Sequence, residues 1–161
     1  MNIQQHLFSE YLDPIKLKEG KQKCPCCQRP VKAYGYVITD KLVNLAYEIT
    51  NWCSASSKLT FSPEEVFIGD YKALTQFQKL KMFGIIERTN HSGWWKLTKK
   101  GYKFLRGDIK LPRKVWVFAD KVILKDDIFV SINQIEKCWK ERSQDWTLDY
   151  ILQPYQTEFQ I

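Results

Sequence analysis

The chain has 161 residues, of which 44% are hydrophobic and 14% aromatic, and its formal net charge is +7. This composition supports one domain with appendages or two small domains, and it excludes a disordered tail. No apolar run approaches the roughly 20 residues of a membrane span, and the first residues lack the basic and apolar regions of a signal peptide. We therefore expect a cytoplasmic protein that binds no membrane and keeps its five cysteines reduced.

The N-terminal segment, residues 1–36, is predicted to be an arm followed by a cysteine knuckle. Residues 1–23 show no regular periodicity, which indicates an arm or loop with His6 on its surface. Cys24 and Cys27 then have the C-x-x-C spacing at which two thiolates can meet one zinc ion. These two residues are the predicted metal ligands, with zinc as the candidate cofactor.

A closed zinc site needs four ligands, and the chain contains no second C-x-x-C pair. Three hypotheses remain open: the site is shared between two copies of the chain, it recruits Cys53 or a histidine, or the metal has been lost and the knuckle survives as a turn. Gln28 stands where a glycine is usual after the second cysteine. A thioredoxin-like redox pair is not favoured, because no βαβ pattern surrounds the cysteines.

Residues 37–110 have the layout of a winged-helix domain. Helical spacing of apolar residues, helix caps and turn residues define its elements. A short strand over 31–38 leads into it. The elements that follow are, in order, a helix over 40–53, a short helix from 63, a longer helix over 70–83, a hairpin of strands over 85–89 and 94–98, and a helix over 98–106. The predicted fold class is therefore α+β with a winged helix-turn-helix core.

The C-terminal segment, residues 111–161, is predicted to be a small αβ appendage with strands over 114–119, 122–124 and 128–130 and a helix over 132–141. Its large aromatic residues suggest either a docking surface, such as a homodimer interface, or a second small core. These residues are Trp116, Phe129, Trp139 and Trp146. Cys53 and Cys138 are expected to be core residues on their helices.

The positive charge is concentrated in the middle of the chain. Residues 72–114 contain twelve Lys or Arg and two acids, whereas the preceding 71 residues contain eight of each and the last 47 contain five bases and eight acids. A basic stretch that coincides with a winged-helix layout predicts binding to duplex DNA.

The predicted DNA contacts lie on three elements. The helix over 70–83 would enter the major groove, the hairpin would touch the backbone or minor groove, and the following lysines would contact phosphates. The residues are Lys72, Gln76, Lys79, Arg88, Asn90, His91, Lys96, Lys99, Lys100 and Lys103.

Two other ligands remain open. The same lysines suit a winged helix that binds a protein, and aromatic residues among them would suit RNA. The predicted recognition helix also contains no Arg, the commonest reader of guanine. Catalysis is not expected, because the chain has no Gly-rich phosphate loop, no nucleophile elbow and no acid that pairs convincingly with a histidine.

The chain resembles a group of small bacteriophage and mobile-element proteins. The resemblance covers residues from about 24 to 152 and rests on the cysteine motif over 24–27, on the stretch from Gly93 to Gly107, and on Leu111-Pro112-Arg113-Lys114-Val115. It implies a viral or mobile-element origin, an N-terminal knuckle, a winged-helix centre and a short αβ tail.

A viral origin implies two classes of function. One is a DNA-binding regulator or accessory factor. The other is a host-takeover or anti-defence protein that binds and inhibits a bacterial protein or nucleoprotein complex. Such a basic inhibitor would act on an acidic surface or on bound nucleic acid, and it could not mimic DNA, because a mimic needs negative charge.

Overall fold

The computed structural model describes residues 13–148, and over that range the chain is an α+β protein with helices and antiparallel sheets. The helices are α1 (Pro14–Glu19), α2 (Asp40–Ser56), α3 (Pro63–Val66), α4 (Tyr71–Gln76), α5 (Lys79–Met82), α6 (Lys99–Leu105), α7 (Ile132–Ile135) and α8 (Trp139–Ser143). The strands are β1 (Gln22–Lys23), β2 (Pro30–Val31), β3 (Tyr34–Val37), β4 (Thr60–Phe61), β5 (Ile86–Arg88), β6 (Trp95–Leu97), β7 (Leu111–Pro112), β8 (Lys114–Phe118), β9 (Lys121–Lys125) and β10 (Phe129–Val130). The prediction for His6 lies outside the described residues.

The described chain divides into two compact units that differ from the three predicted segments. One unit contains residues 13–37 and 112–128, and the other contains residues 38–111 and 129–148. The predicted C-terminal appendage is therefore split between the two units. The physical reason is strand pairing, because β3 aligns antiparallel with β8 and thereby joins the N-terminal segment to the β8–β9 hairpin.

The first unit begins with a helix where an arm or loop was predicted. The Asp13 side chain accepts a hydrogen bond from the Ile15 N–H at 2.9 Å, and Pro14 occupies the first turn of α1. Gly20 ends the helix with φ of 72°, a left-handed conformation that glycine adopts without strain. Leu17 is completely buried. The prediction of an arm is therefore wrong over α1.

A three-stranded antiparallel sheet of order β3-β8-β9 completes the first unit, together with the two-stranded β1–β2 pair. Trp116 on β8 lies between two ammonium groups, with Lys18 Nζ 4.2 Å and Lys114 Nζ 4.9 Å from its ring centroid. Gly35 on β3 makes room for this arrangement, since a Cβ there would lie 3.3 Å from Trp116 Nε1.

The second unit is built around α2, whose inner face buries Val43, Ala46, Tyr47 and Ile49. The helix begins at a Thr39 cap, as its sequence predicts. Helices α3, α4 and α5 follow, and then a three-stranded antiparallel sheet of order β4-β6-β5. A separate two-stranded sheet pairs β7 with β10.

The helix predicted over 70–83 is interrupted. It forms α4 and α5, and between them the Leu80 N–H bonds to Phe77 O and the Lys81 N–H to Gln78 O, a tighter pattern than that of an α-helix. Phe77 is anchored at this point because its ring contacts those of Phe67 and Trp95, with centroids 6.0 and 5.1 Å away.

The last described residues, which include Trp146 and Leu148, pack into the core of the second unit. The Trp146 ring lies between Tyr47 and Tyr102, with centroids 5.6 and 5.7 Å away, and its Nε1–H donates to Asn51 Oδ1 at 2.6 Å. Trp116 belongs to the first unit, so the C-terminal aromatics do not form one separate core.

Two further C-terminal expectations need correction. The helix predicted over 132–141 is two short helices, α7 and α8, because Glu136 is extended between them. Cys138, predicted in the core, is exposed.

We expect Trp146→Ala to lower the free energy of unfolding by about 3–5 kcal/mol, because it empties a large buried volume and removes a hydrogen bond to Asn51. Urea denaturation measures this loss. Trp94→Ala is the matched control, since Trp94 is 37% exposed, and it should cost less than about 1 kcal/mol. Equal losses in the two variants would contradict the packing of Trp146 between the tyrosines.

Candidate nucleic-acid interface

Helices α4 and α5 carry the first three predicted contacts. Asp70 caps α4 by accepting a hydrogen bond from the Ala73 N–H at 3.0 Å. Ala73, Phe77 and Leu80 are buried, which fixes the orientation of both helices. On the other side, Lys72 is exposed, while Gln76 and Lys79 are half-buried. The helix pair therefore presents the predicted contacts Lys72, Gln76 and Lys79 outside its packed face.

The start of α4 also has two acids near it. Burial, together with the negative charge of nearby Asp70, raises the pKa of Glu48 on α2 above its usual value. Two carboxylates this close repel a phosphate. We therefore expect phosphate contacts mainly from residues after Lys72, toward α5, the hairpin and α6.

The β5–β6 hairpin supplies the next group of predicted contacts. Its turn is fixed by Thr89, whose N–H and hydroxyl both donate to Trp94 O, at 3.1 and 3.0 Å, and by Gly93 with φ of 80°. Asn90 and His91 are exposed at the tip. Arg88 is exposed and its guanidinium carbon lies 5.2 Å from the Trp95 ring centroid. A turn held in this way presents polar side chains at a defined position.

The two adjacent tryptophans of the hairpin differ in exposure. Trp95 is 6% exposed and belongs to the core, whereas Trp94 is 37% exposed. Lys96 is half-buried on the middle strand, where it pairs in register with Thr60 on one side and Glu87 on the other. Opposite charges that face each other across two strands attract, so Glu87 offsets part of the positive charge of Lys96.

Helix α6 carries Lys99, Lys100 and Lys103. Thr98 caps the helix through the Gly101 N–H at 2.9 Å, and its hydroxyl donates to Gly84 O at 2.5 Å and Ile85 O at 3.0 Å. The side chain of Lys100 runs beside Gly84, where a Cβ would lie 3.3 Å from the Lys100 Cδ. The structure thus brings the lysines of α6 to the end of α5.

These three elements form one continuous segment of high charge density. Residues 71–105, which cover α4 to α6, contain eight Lys or Arg and a single acid, Glu87. We refer to the predicted contacts on this segment as the basic face. Its members are Lys72, Gln76, Lys79, Arg88, Asn90, His91, Lys96, Lys99, Lys100 and Lys103.

Two apolar side chains beside the basic face were missed from the sequence. Ile68 and Tyr71 are 82% and 81% exposed, the highest values among the exposed large hydrophobic residues of the described chain. They flank Gly69 and Asp70 at the turn between α3 and α4. The signal that could have found Tyr71 is its position directly after the capping residue, where a side chain has little of its own helix to pack against.

The predicted metal ligands Cys24 and Cys27 lie in a turn between β1 and β2, in the first unit. Cys27 is exposed and Cys24 is half-exposed. Cys53, considered as a further ligand, is buried, and burial raises the pKa of its thiol to about 12. Among the described residues, no group of three or more His, Cys, Asp or Glu side chains is placed to hold a metal ion.

The chain was compared with protein-family models, curated proteins and solved structures, and none of them matches it. Its function is therefore inferred from its own residues and their geometry. Within residues 13–148, no helix has both the length and the apolar character that crossing a membrane requires.

Proposed function

We propose that this chain is a non-catalytic winged-helix protein of phage type that binds duplex DNA through the basic face. The observation that carries this proposal is the charge of the segment from α4 to α6, with eight bases against one acid on a helix pair, a hairpin and a short helix. Such a surface attracts the phosphate backbone and releases its condensed counterions.

The order and pairing of the elements support the winged-helix part of the proposal. Helix α2 is followed by the short strand β4, by α3, by the α4–α5 pair and by the β5–β6 hairpin. Strand β4 pairs with β6, so the hairpin is the outer part of a three-stranded sheet. In a winged helix, the helix before the hairpin enters the major groove and the hairpin contacts the neighbouring backbone.

Each part of the basic face then has a distinct role. The α4–α5 pair enters the major groove, where the Gln76 amide can hydrogen-bond to an adenine edge. Asn90 and His91 at the hairpin tip contact backbone oxygens or the minor groove. Lys99 and Lys103, four residues apart on α6, neutralise phosphates on the flank of the site.

Ile68 and Tyr71 fit the same arrangement as apolar contacts to the bases. They stand at the turn that leads into α4, next to Lys72, and the acids Glu48 and Asp70 nearby disfavour a phosphate at this position. The apolar feature of the major groove is the 5-methyl group of thymine. We therefore assign Ile68 and Tyr71 to thymine methyl groups.

We expect replacement of thymine by deoxyuridine in a T-rich duplex to weaken binding about fourfold per contacted methyl, since burying one such group contributes about 0.8 kcal/mol. Ile68→Ala/Tyr71→Ala should bind both duplexes with similar affinity. Competition binding at fixed salt measures both effects. If the wild-type protein does not distinguish the duplexes, the methyl assignment is wrong while the phosphate contacts stand.

The test of the proposed interface is lysine labelling read by mass spectrometry, with and without duplex DNA. We expect DNA to protect the lysines of the basic face. The exposed lysines of the first unit serve as internal controls and should label equally in both samples; these are Lys16, Lys21, Lys121 and Lys125. Protection of the controls alone, or of no lysine under conditions where DNA is bound, would contradict the proposal.

The exposure of Ile68 and Tyr71 also favours the second candidate function, inhibition of a bacterial protein or nucleoprotein complex. An exposed aromatic side chain such as Tyr71 is typical of the core of a protein interface, and lysines around it suit the polar rim. The two functions are separable with Ile68→Ala/Tyr71→Ala. The variant and the wild-type protein are tested for inhibition of a purified host complex after nuclease treatment. If the variant no longer inhibits the complex but binds DNA with unchanged affinity, the protein target is favoured.

A further inference from the structure

The cysteine hairpin is a closed and well-defined turn. We use this name for β1, the turn over 24–29 and β2, which pair antiparallel with Lys23 opposite Pro30. The Cys24 N–H donates to Arg29 O, and the Gln28 N–H donates to Cys24 O, both at 2.9 Å. Gln28 adopts φ of 60°, the left-handed conformation that a glycine usually supplies after the second cysteine of a zinc knuckle. The missing glycine has therefore not abolished the turn.

The turn also fixes the backbone around the two predicted ligands. Its two hydrogen bonds join Cys24 to Gln28 and Arg29 and so enclose Cys27, and the pair keeps the C-x-x-C spacing at which two thiolates can meet one zinc ion.

The described part of one chain supplies only half of a closed site. A structural zinc ion takes four ligands in a tetrahedron, and no third ligand joins Cys24 and Cys27 among residues 13–148. The turn nevertheless stands open to solvent, since Cys26 and Cys27 are exposed. Ligands from outside the chain can therefore reach it.

We propose that Cys24 and Cys27 bind zinc together with the same two residues of a second copy of this chain, forming a four-thiolate site. Each of the four thiols gives up its proton, and four thiolates with one Zn²⁺ carry a net charge of −2. A second copy supplies the two missing thiolates through the same pair of free cysteines. The described part of the first unit contains ten Lys or Arg against five acids. An anionic centre between two such units offsets their mutual repulsion.

The decisive measurements are the number of metal ions bound per chain and the molar mass of the protein. Reduced full-length protein is titrated with Zn²⁺ while its molar mass is followed by light scattering, and a parallel titration with Co²⁺ reports the sulfur-to-metal absorption of the site. We expect one metal ion per two chains and a doubling of the mass on metal addition. A chelator should reverse both changes.

Single serine substitutions identify the ligands. Cys24→Ser and Cys27→Ser should abolish the metal-dependent doubling, whereas Cys26→Ser, one residue away in the same turn, should retain it. One metal ion per monomer would overturn the proposal, because the missing ligands would then come from the same chain. The absence of metal binding at micromolar concentration would also overturn it. So would a Cys26→Ser variant that loses the metal-dependent doubling while Cys27→Ser retains it. None of these outcomes bears on the DNA contacts of the second unit.

Discussion

Replacing four lysines of the basic face by glutamine should lower the affinity for duplex DNA about 1,000-fold at 0.1 M salt. The four lysines lie on α5 and α6, after Lys72, and are Lys79, Lys99, Lys100 and Lys103. Each phosphate contact contributes about 0.9 to the slope of log K against log salt, so about six contacts give a slope of about −5. The loss of four of them should leave a slope of about −2. Fluorescence anisotropy with a labelled duplex measures both quantities.

The control for this variant removes the same charge elsewhere. It carries four glutamines at exposed lysines of the first unit, which are Lys16, Lys21, Lys121 and Lys125. We expect the control to bind DNA with nearly the wild-type salt slope, since it loses only long-range attraction, which salt screens. Equal weakening in both variants would mean that net charge, rather than the basic face, determines binding. Thermal melts establish that both proteins are folded.

Gly101→Ala should lower the free energy of unfolding by about 3 kcal/mol, the largest effect expected from a single added methyl group. A Cβ at this position would lie 2.7 Å from Ile85 Cα and would also collide with Ile85 O. Both are backbone atoms, so α6 would have to move away from β5. That movement would also break the bonds of the Thr98 hydroxyl to Gly84 O and Ile85 O.

Gly69→Ala is the matched control. Gly69 has φ of 72°, and a Cβ there would meet no atom within 4 Å. Its cost is therefore only that of a left-handed alanine, about 1 kcal/mol. Urea denaturation of both variants compares their free energies of unfolding, with the same dependence of that free energy on urea concentration used for both. If the two losses are equal, the close approach of α6 to the α5–β5 junction does not contribute to stability.

Strong local signals predicted most elements of the second unit. Thr39 and Thr98 both cap helices, and Pro63 starts one, as expected. The polar turn that ends at Gly93 predicted the hairpin of β5 and β6. Helix α1 has signals of the same kind, since Asp13 caps it and Gly20 ends it. It was missed because six residues are too short to show a helical period.

Contacts between distant parts of the chain could not be predicted in this way. The pairing of Gly35 with Trp116 and the hydrogen bond from Trp146 to Asn51 join residues that are far apart in sequence. A single sequence contains no signal for such partners. The two compact units, and the split of the C-terminal segment between them, follow from these contacts.

The charge of the candidate site could be read from the sequence, but the exposure of its apolar residues could not. The sequence identified the charged residues of the basic face, because a charged side chain is expected at the surface wherever its helix lies. The same expectation fails for apolar residues, which are assigned to a core by default. Ile68 and Tyr71 are exposed although the neighbouring Phe67 is buried. Cys138 is exposed although Cys53 is buried, and only the tertiary packing distinguishes the members of each set.

The most direct test of DNA binding by the basic face is a salt titration of wild-type protein with a labelled duplex. Six phosphate contacts predict a slope of log K against log salt of about −5, with micromolar or tighter binding at low salt. Fluorescence anisotropy gives the slope without knowledge of a target sequence. The absence of binding at low salt would contradict the account, and the basic face would then serve a protein partner.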